Sequence, residues 1–200
     1  MKLPRNLEET NTLLAAAEEE DRSPIVMFLT GSSGCGKTYL AQALEARLNQ
    51  DRSAVRHFDR IGVPSVEQMI RDFGSPEKWQ EATTHQWVES FAKMKDKVLV
   101  IFEGQYHPRF VLEAARSVGL PDFVLAAVTA DQEVWEGRLR GPRGQPSLIT
   151  DDMRNWARFL RDKTVSQGGA LIDTSDSNLE KNLDDIGALI NPLLKRRIRG

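Results

Sequence analysis

Two hundred residues, 40% hydrophobic and 28% charged, fit one domain with a core of ordinary size. A formal charge of −2 gives no general electrostatic reason to bind DNA, RNA or an anionic membrane, and the single cysteine excludes an intramolecular disulfide. No apolar segment follows Met1-Lys2-Leu3-Pro4-Arg5-Asn6 to form a signal peptide, and no run approaches the roughly 20 residues of a membrane span, so a soluble, cytoplasmic protein is expected.

Residues 5–21 carry Leu7, Leu13 and Leu14 as a modest stripe and close on Glu18-Glu19-Glu20-Asp21. This predicts a helical extension (1–23) with a solvated end, ahead of a main domain (24–200). Ser23-Pro24 breaks the chain, and Ile25-Val26-Met27-Phe28-Leu29-Thr30 suits a buried parallel strand. Gly31-Ser32-Ser33-Gly34-Cys35-Gly36-Lys37-Thr38 follows, a complete G-x-x-x-x-G-K-[ST] phosphate loop, and then a leucine-spaced helix over 39–48. A strand before and a helix after are the context that motif requires.

Beyond it, strands and helices alternate, the pattern of a parallel sheet covered on both faces. Residues 54–58 form a second strand ending at Asp59, and helical material spans 65–93 with a break at Gly74-Ser75-Pro76. A third strand over 97–102 ends at Glu103-Gly104, helix 109–118 follows, and a fourth strand covers 123–128. Asp131 is expected to cap a helix that reaches Leu139. Arg140-Gly141-Pro142-Arg143-Gly144-Gln145-Pro146 is too rich in Gly and Pro for regular structure. A helix over 150–167, a short strand over 170–172 and a final helix over 179–194 complete an α/β domain, with Lys195–Arg199 as a solvated basic tail.

The phosphate loop's chemistry follows from its geometry. Gly31, Gly34 and Gly36 permit a tight turn, so the amides of Ser32, Ser33 and Cys35 and their neighbours converge on a polyphosphate at a helix N-terminus. Lys37 bridges β- and γ-phosphates and the Thr38 hydroxyl ligates magnesium in such loops, so Mg-ATP is the expected ligand. Ligands of open parallel sheets bind at the carboxyl ends of the strands, where Asp59, Glu103-Gly104 and Asp173-Thr174-Ser175 also fall. Glu103 is read as a magnesium ligand or, alternatively, a cap for the next helix. Asp59 is read as the base that accepts a substrate proton, or as a turn-initiating aspartate. Arg60 either binds an anionic substrate or pairs with Asp59, and His107 is a candidate substrate contact. His57, His85 and the four tryptophans are read as structural. Arg138, Arg140 and Arg143 are expected on a mobile lid (138–147) closing over the triphosphate. Arg154, Arg158 and Arg161 form an exposed helix face from which one side chain reaches the phosphates.

With these pieces placed, residues 24–192 resemble the small phosphate-loop kinases: the adenylate, shikimate and gluconate kinase group and the chloramphenicol phosphotransferase type. The specific points of resemblance are 31–38, Glu103-Gly104, 138–146 and 172–175. The resemblance implies a three-layer P-loop NTPase fold with a five-stranded parallel sheet of order 2-3-1-4-5. It implies an adenine site in which Asp173 and Thr174 lie beside the base and Arg138 stacks near it. It also implies an acceptor-binding helical region, here 61–93. That region matches no acceptor signature, and Arg71 is its only arginine. A small hydroxyl-bearing molecule is therefore expected as acceptor in preference to a nucleoside monophosphate. The expected activity is transfer of the γ-phosphoryl group, with Lys37, Asp59, Arg138 and Arg143 as the catalytic groups. The competing readings are a nucleotide or polynucleotide kinase, an acceptor-independent NTPase, and a non-catalytic ATP-binding switch.

Overall fold

The computed structural model describes residues 3–18 and 22–199; of the expected acidic helix end, Glu19, Glu20 and Asp21 lie outside the described residues. Five strands, β1 (Ile25–Thr30), β2 (Ser53–His57), β3 (Leu99–Glu103), β4 (Phe123–Thr129) and β5 (Ala170–Asp173), form one parallel sheet of order β2-β3-β1-β4-β5. The order is the one the resemblance implied. β1 and β3 at the centre are buried along their whole length, which explains why they read as unbroken apolar runs and not as alternating ones.

One face of the sheet is covered by α1 (Arg5–Ala16), α2 (Lys37–Arg47) and α8 (Leu179–Arg199), around a core that includes Leu7, Leu14, Leu40, Ile101 and Ile186. The opposite core gathers Phe28, Phe58, Trp79, Phe91 and Phe102 beneath α3 (Val66–Phe73), α4 (Pro76–Ala92) and α5 (Pro108–Ser117). α6 (Gln132–Arg140) and α7 (Asp151–Ser166) complete the chain between β4 and β5. The break between α3 and α4 has a local cause: Gly74 closes α3 in the left-handed region, and Ser75 caps α4 with Pro76 at its first position.

Two expectations about the termini need correction. The first helix ends at Ala16, and it lies within the core: Leu7 and Leu14 are fully buried, and Asn6 donates to both carboxylate oxygens of Asp184 on α8, at 2.7 and 2.9 Å. The basic segment 195–199 is no free tail but the last turn of α8, with Lys195 2.8 Å from Glu9 and Arg196 3.1 Å from Asp122. Among the described residues, no helix is long and apolar enough to cross a membrane.

Candidate active site

β1 delivers the chain into the phosphate loop, and α2 begins at Lys37. Gly36, the residue before it, has φ +100°, the left-handed region that a side chain disfavours. Lys37 is buried, with Nζ donating to the Ser32 carbonyl at 2.9 Å. The loop is braced from outside. Trp135 on α6 donates its indole N–H to the Ser33 carbonyl, and Ser33 Oγ donates 3.3 Å to Gln105 in the β3–α5 connection. That connection is clamped in turn by Gln80 of α4, which donates to the Gln105 carbonyl and accepts from the His107 N–H. Trp135, Gln80 and Gln105 were not legible as site residues, because their partners are distant in sequence.

Beside the loop, register brings the carboxylates together. β2 and β3 pair so that His57 stands opposite Glu103, and Glu103 stands opposite Leu29 of β1. Glu103 is nearly buried; its Oε1 lies 2.7 Å from His57 Nδ1 and accepts from the Thr38 hydroxyl at 3.4 Å. His57, read from sequence as structural, thus belongs to this cluster. The sequence signal was its position at the end of a strand whose neighbour also ends at the site. The alternative of Glu103 as a helix cap is not realised: His107 caps α5, its Nδ1 accepting from the Arg109 N–H at 2.9 Å. Burial, and then the nearby Arg109 guanidinium, push the His107 imidazole below its ordinary pKa, which keeps Nδ1 available as that acceptor.

Asp59 sits in a short 3₁₀ turn, Phe58–Ile61, one step beyond the end of β2. Its carboxyl opens to solvent on one side while protein on the other strips away water. This desolvation, followed by repulsion from Glu103, holds its pKa above the ordinary aspartate value against the opposing pull of Lys37 and His57. Arg60 is exposed in the same turn, and no ion pair joins it to Asp59 among the described residues. Gly104 follows Glu103 because the backbone there passes against Phe58: an added Cβ would lie 2.4 Å from Phe58 Cβ and 2.9 Å from Tyr106. Gly104→Ala is expected to destabilise the fold by about 1–3 kcal/mol, read as a lowered denaturant midpoint at unchanged slope.

At the other end of the loop, Arg138 lies on α6 and its guanidinium is fixed, donating to Thr174 Oγ1 at 2.8 Å, the Thr174 carbonyl at 2.6 Å and Ser177 Oγ at 3.1 Å. Thr174 Oγ1 also donates to the Cys35 carbonyl at 2.8 Å, which ties the β5–α8 turn to the phosphate loop. Asp173 shapes that turn by accepting from Ser175 N–H and Oγ, bonds that hold its carboxyl below the ordinary range. Between these groups and α2 is a mainly apolar cavity of about 320 Å³, lined among others by Gly34, Thr38, Arg138, Pro142 and Arg143.

The expected lid is different in kind. Arg138 and Arg140 belong to α6, and Arg140 pairs with the buried Glu136 at 2.6 Å; only Arg143 stands on the Gly/Pro connection, where it donates to Gln145. Asp131 precedes α6 without a side-chain capping bond. Arg154 also bonds Glu136, at 2.9 Å, linking α7 to α6. Arg154, Arg158 and Arg161 wall a cavity of about 400 Å³ whose other side includes phosphate-loop residues Ser32 and Cys35, so this face is turned toward the site.

The sheet order, the phosphate loop and the paired β2–β3 ends are those of the small P-loop kinase fold. Residues 10–100, somewhat less than half of the chain, match the model of the Zeta toxin family. Among solved structures the chain is similar to a gluconokinase from Sinorhizobium meliloti 1021 (15% identity, 87% of this chain and 97% of that one, TM-score 0.61). It is also similar to a shikimate kinase from Acinetobacter baumannii in complex with shikimate (16%, 86% and 96%, 0.55). A third similar structure is the APS kinase of Mycobacterium tuberculosis in complex with AMPPNP and APS (14%, 84% and 98%, 0.56). No curated protein sequence matches the chain. At these identities the likeness is one of fold.

Proposed function

We infer that the protein is an ATP-dependent phosphotransferase that moves the γ-phosphoryl group to a hydroxyl of a small molecule. The carrying observation is Asp59: a carboxylate with a raised pKa, electrostatically coupled to both Glu103 and Lys37, at the carboxyl edge of the sheet. The gluconate, shikimate and APS kinase neighbours act on small molecules by their names, and this supports the same substrate class.

In the proposed reaction the loop amides and the Lys37 ammonium hold the β- and γ-phosphates. The acceptor oxygen forms a bond to the γ-phosphorus as the bond to the bridging β–γ oxygen breaks, releasing ADP, and Asp59 takes the hydroxyl proton. Arg143, exposed on the connection after α6, is the lid cation that approaches the phosphates, whereas Arg138 flanks the base. Arg60, Gly104 and His107 face the acceptor side in this reading, with α3 and α4 as its walls.

Thr38 Oγ1 and Glu103 Oε1, 3.4 Å apart, form a hard-oxygen pair of the kind magnesium takes, so the residues present fit the ion. Bound there, magnesium supplies charge neutralisation on the phosphates. Glu103→Gln is expected to raise the magnesium concentration for half-maximal turnover by roughly 10–100-fold; an unchanged magnesium dependence would remove Glu103 from the metal site.

The function is tested by ADP release from Mg-ATP across sugars, hydroxy acids, nucleosides and drug-like alcohols. Acceptor-stimulated release that yields a phosphorylated acceptor supports the kinase. Steady ADP release without any acceptor would instead make the protein an NTPase. Nucleotide binding with no release in any condition would leave the switch reading.

A further inference from the structure

β2 and β3 end side by side, and alternation along each strand decides where their last side chains go. Every second residue of a strand shares a face. Val55 and Ile101, two positions before His57 and Glu103, lie in the core beneath α2, together with Leu29 of β1. His57 and Glu103 therefore close that same face at its carboxyl end, where Thr38 stands on the first turn of α2.

The Glu103 carboxylate has two contacts of unequal strength. Its Oε1 lies 2.7 Å from His57 Nδ1, the length of a charge-assisted hydrogen bond, and 3.4 Å from Thr38 Oγ1, near the limit for one. An ionised carboxylate only accepts, so Nδ1 carries the proton. The two side chains are 12% and 8% exposed, so little water competes for the bond. Both contacts fall on Oε1. Among the described residues no hydrogen bond reaches Oε2, and that oxygen is not enclosed.

A long carboxylate side chain that must first find its rotamer binds a cation less tightly than one already held, because ordering it costs entropy. We propose that His57 is the positioning residue of the magnesium site: its Nδ1–H holds the Glu103 carboxylate beside the Thr38 hydroxyl and leaves Oε2 open. His57 acts through Glu103, as the outer partners of metal-binding carboxylates do. The inference rests on the reading of Thr38 and Glu103 as the magnesium pair and deepens it.

Calorimetric binding of AMPPNP to the full chain, with magnesium and in EDTA, tests this. The ratio of the two affinities is the gain that magnesium supplies, and it is internal to each protein. His57→Phe is expected to lower that gain by about 10-fold or more, toward the value of Glu103→Gln, while the affinity in EDTA stays near native. His57→Asn, whose amide N–H can stand where Nδ1 stands, is expected to keep most of the gain. Adding His57→Phe to Glu103→Gln should cost nothing further, since both act through one carboxylate.

A native gain in His57→Phe would overturn the proposal, as would an equal loss of affinity with and without magnesium, the mark of a merely structural role. His57→Asn as impaired as His57→Phe would also overturn it, because the donor would then not matter. If Glu103→Gln keeps the native gain, the magnesium reading of Glu103 fails together with this one. If only the His57 variants keep it, this one fails and that reading stands. Should the variants not fold, long-range 1H–15N NMR of the native chain still decides: a protonated Nδ1 on His57 is expected, and an unprotonated one excludes the bond to Glu103.

Discussion

Asp59→Asn is expected to lower acceptor-dependent phosphoryl transfer by about 10²–10⁴-fold, the range associated with loss of a positioned general base. Asparagine keeps the shape and the turn but cannot take the proton, and the phosphate loop is untouched, so nucleotide affinity should remain near native. The pH dependence separates this from a structural effect. The base works ionised, and desolvation with the Glu103 charge raises its pKa. The native rate should therefore fall with decreasing pH at a midpoint above the ordinary aspartate range, and this limb should vanish in the variant. The stability sign runs the other way. A carboxyl whose folded pKa is raised contributes stability that is fully present below its unfolded pKa and lost as pH rises through the folded one. The asparagine variant should thus be no less stable than the native protein near neutrality. A variant with native turnover would remove Asp59 from the reaction while leaving the nucleotide site in place.

Lys37→Ala should reduce turnover by at least about 10²–10³-fold, the usual cost of deleting one charge-stabilising donor in a site closed to water. Its ammonium is buried at the centre of the loop, bonded only to the Ser32 carbonyl among strong acceptors in the described residues. Removing it deletes the positive charge proposed to offset the β- and γ-phosphates. Rapid-equilibrium binding and single-turnover measurements divide the effect between affinity and chemistry. Retention of native kcat and KM would exclude the phosphate role. Trp135 gives a convenient readout, since its indole N–H is bonded to the Ser33 carbonyl and its fluorescence should respond when the loop closes on a triphosphate.

The two variants probe features that differ in how they are encoded. The phosphate loop is a contiguous motif: eight adjacent residues specify the turn, the amides, the ammonium and the hydroxyl, so its identity is readable without any fold. The same holds for strands buried on both faces, since β1 and β3 must be apolar throughout and are bounded by breakers. Local chemistry likewise marks the α3–α4 break through Gly74, Ser75 and Pro76. Of the expected lid, Arg138 and Arg140 lie in α6, where Thr174 and Glu136 hold their guanidiniums, and the Gly and Pro residues at 141–146 mark only the connection beyond it.

By itself, then, the sequence determined what each segment prefers locally: a parallel α/β domain, a triphosphate loop, and carboxylates at strand ends. Only the tertiary structure decided which of those groups meet. Strand order brings β2 against β3, and their register alone puts His57 on Glu103, 46 positions away in sequence. Packing of α6 onto the phosphate loop brings Trp135 and Arg138 against its carbonyls, and packing of α8 decides that Asn182 lines the adjoining cavity. Local propensity extends over a few residues, whereas these contacts depend on burial and on hydrogen bonds between segments that only the folded sheet brings together.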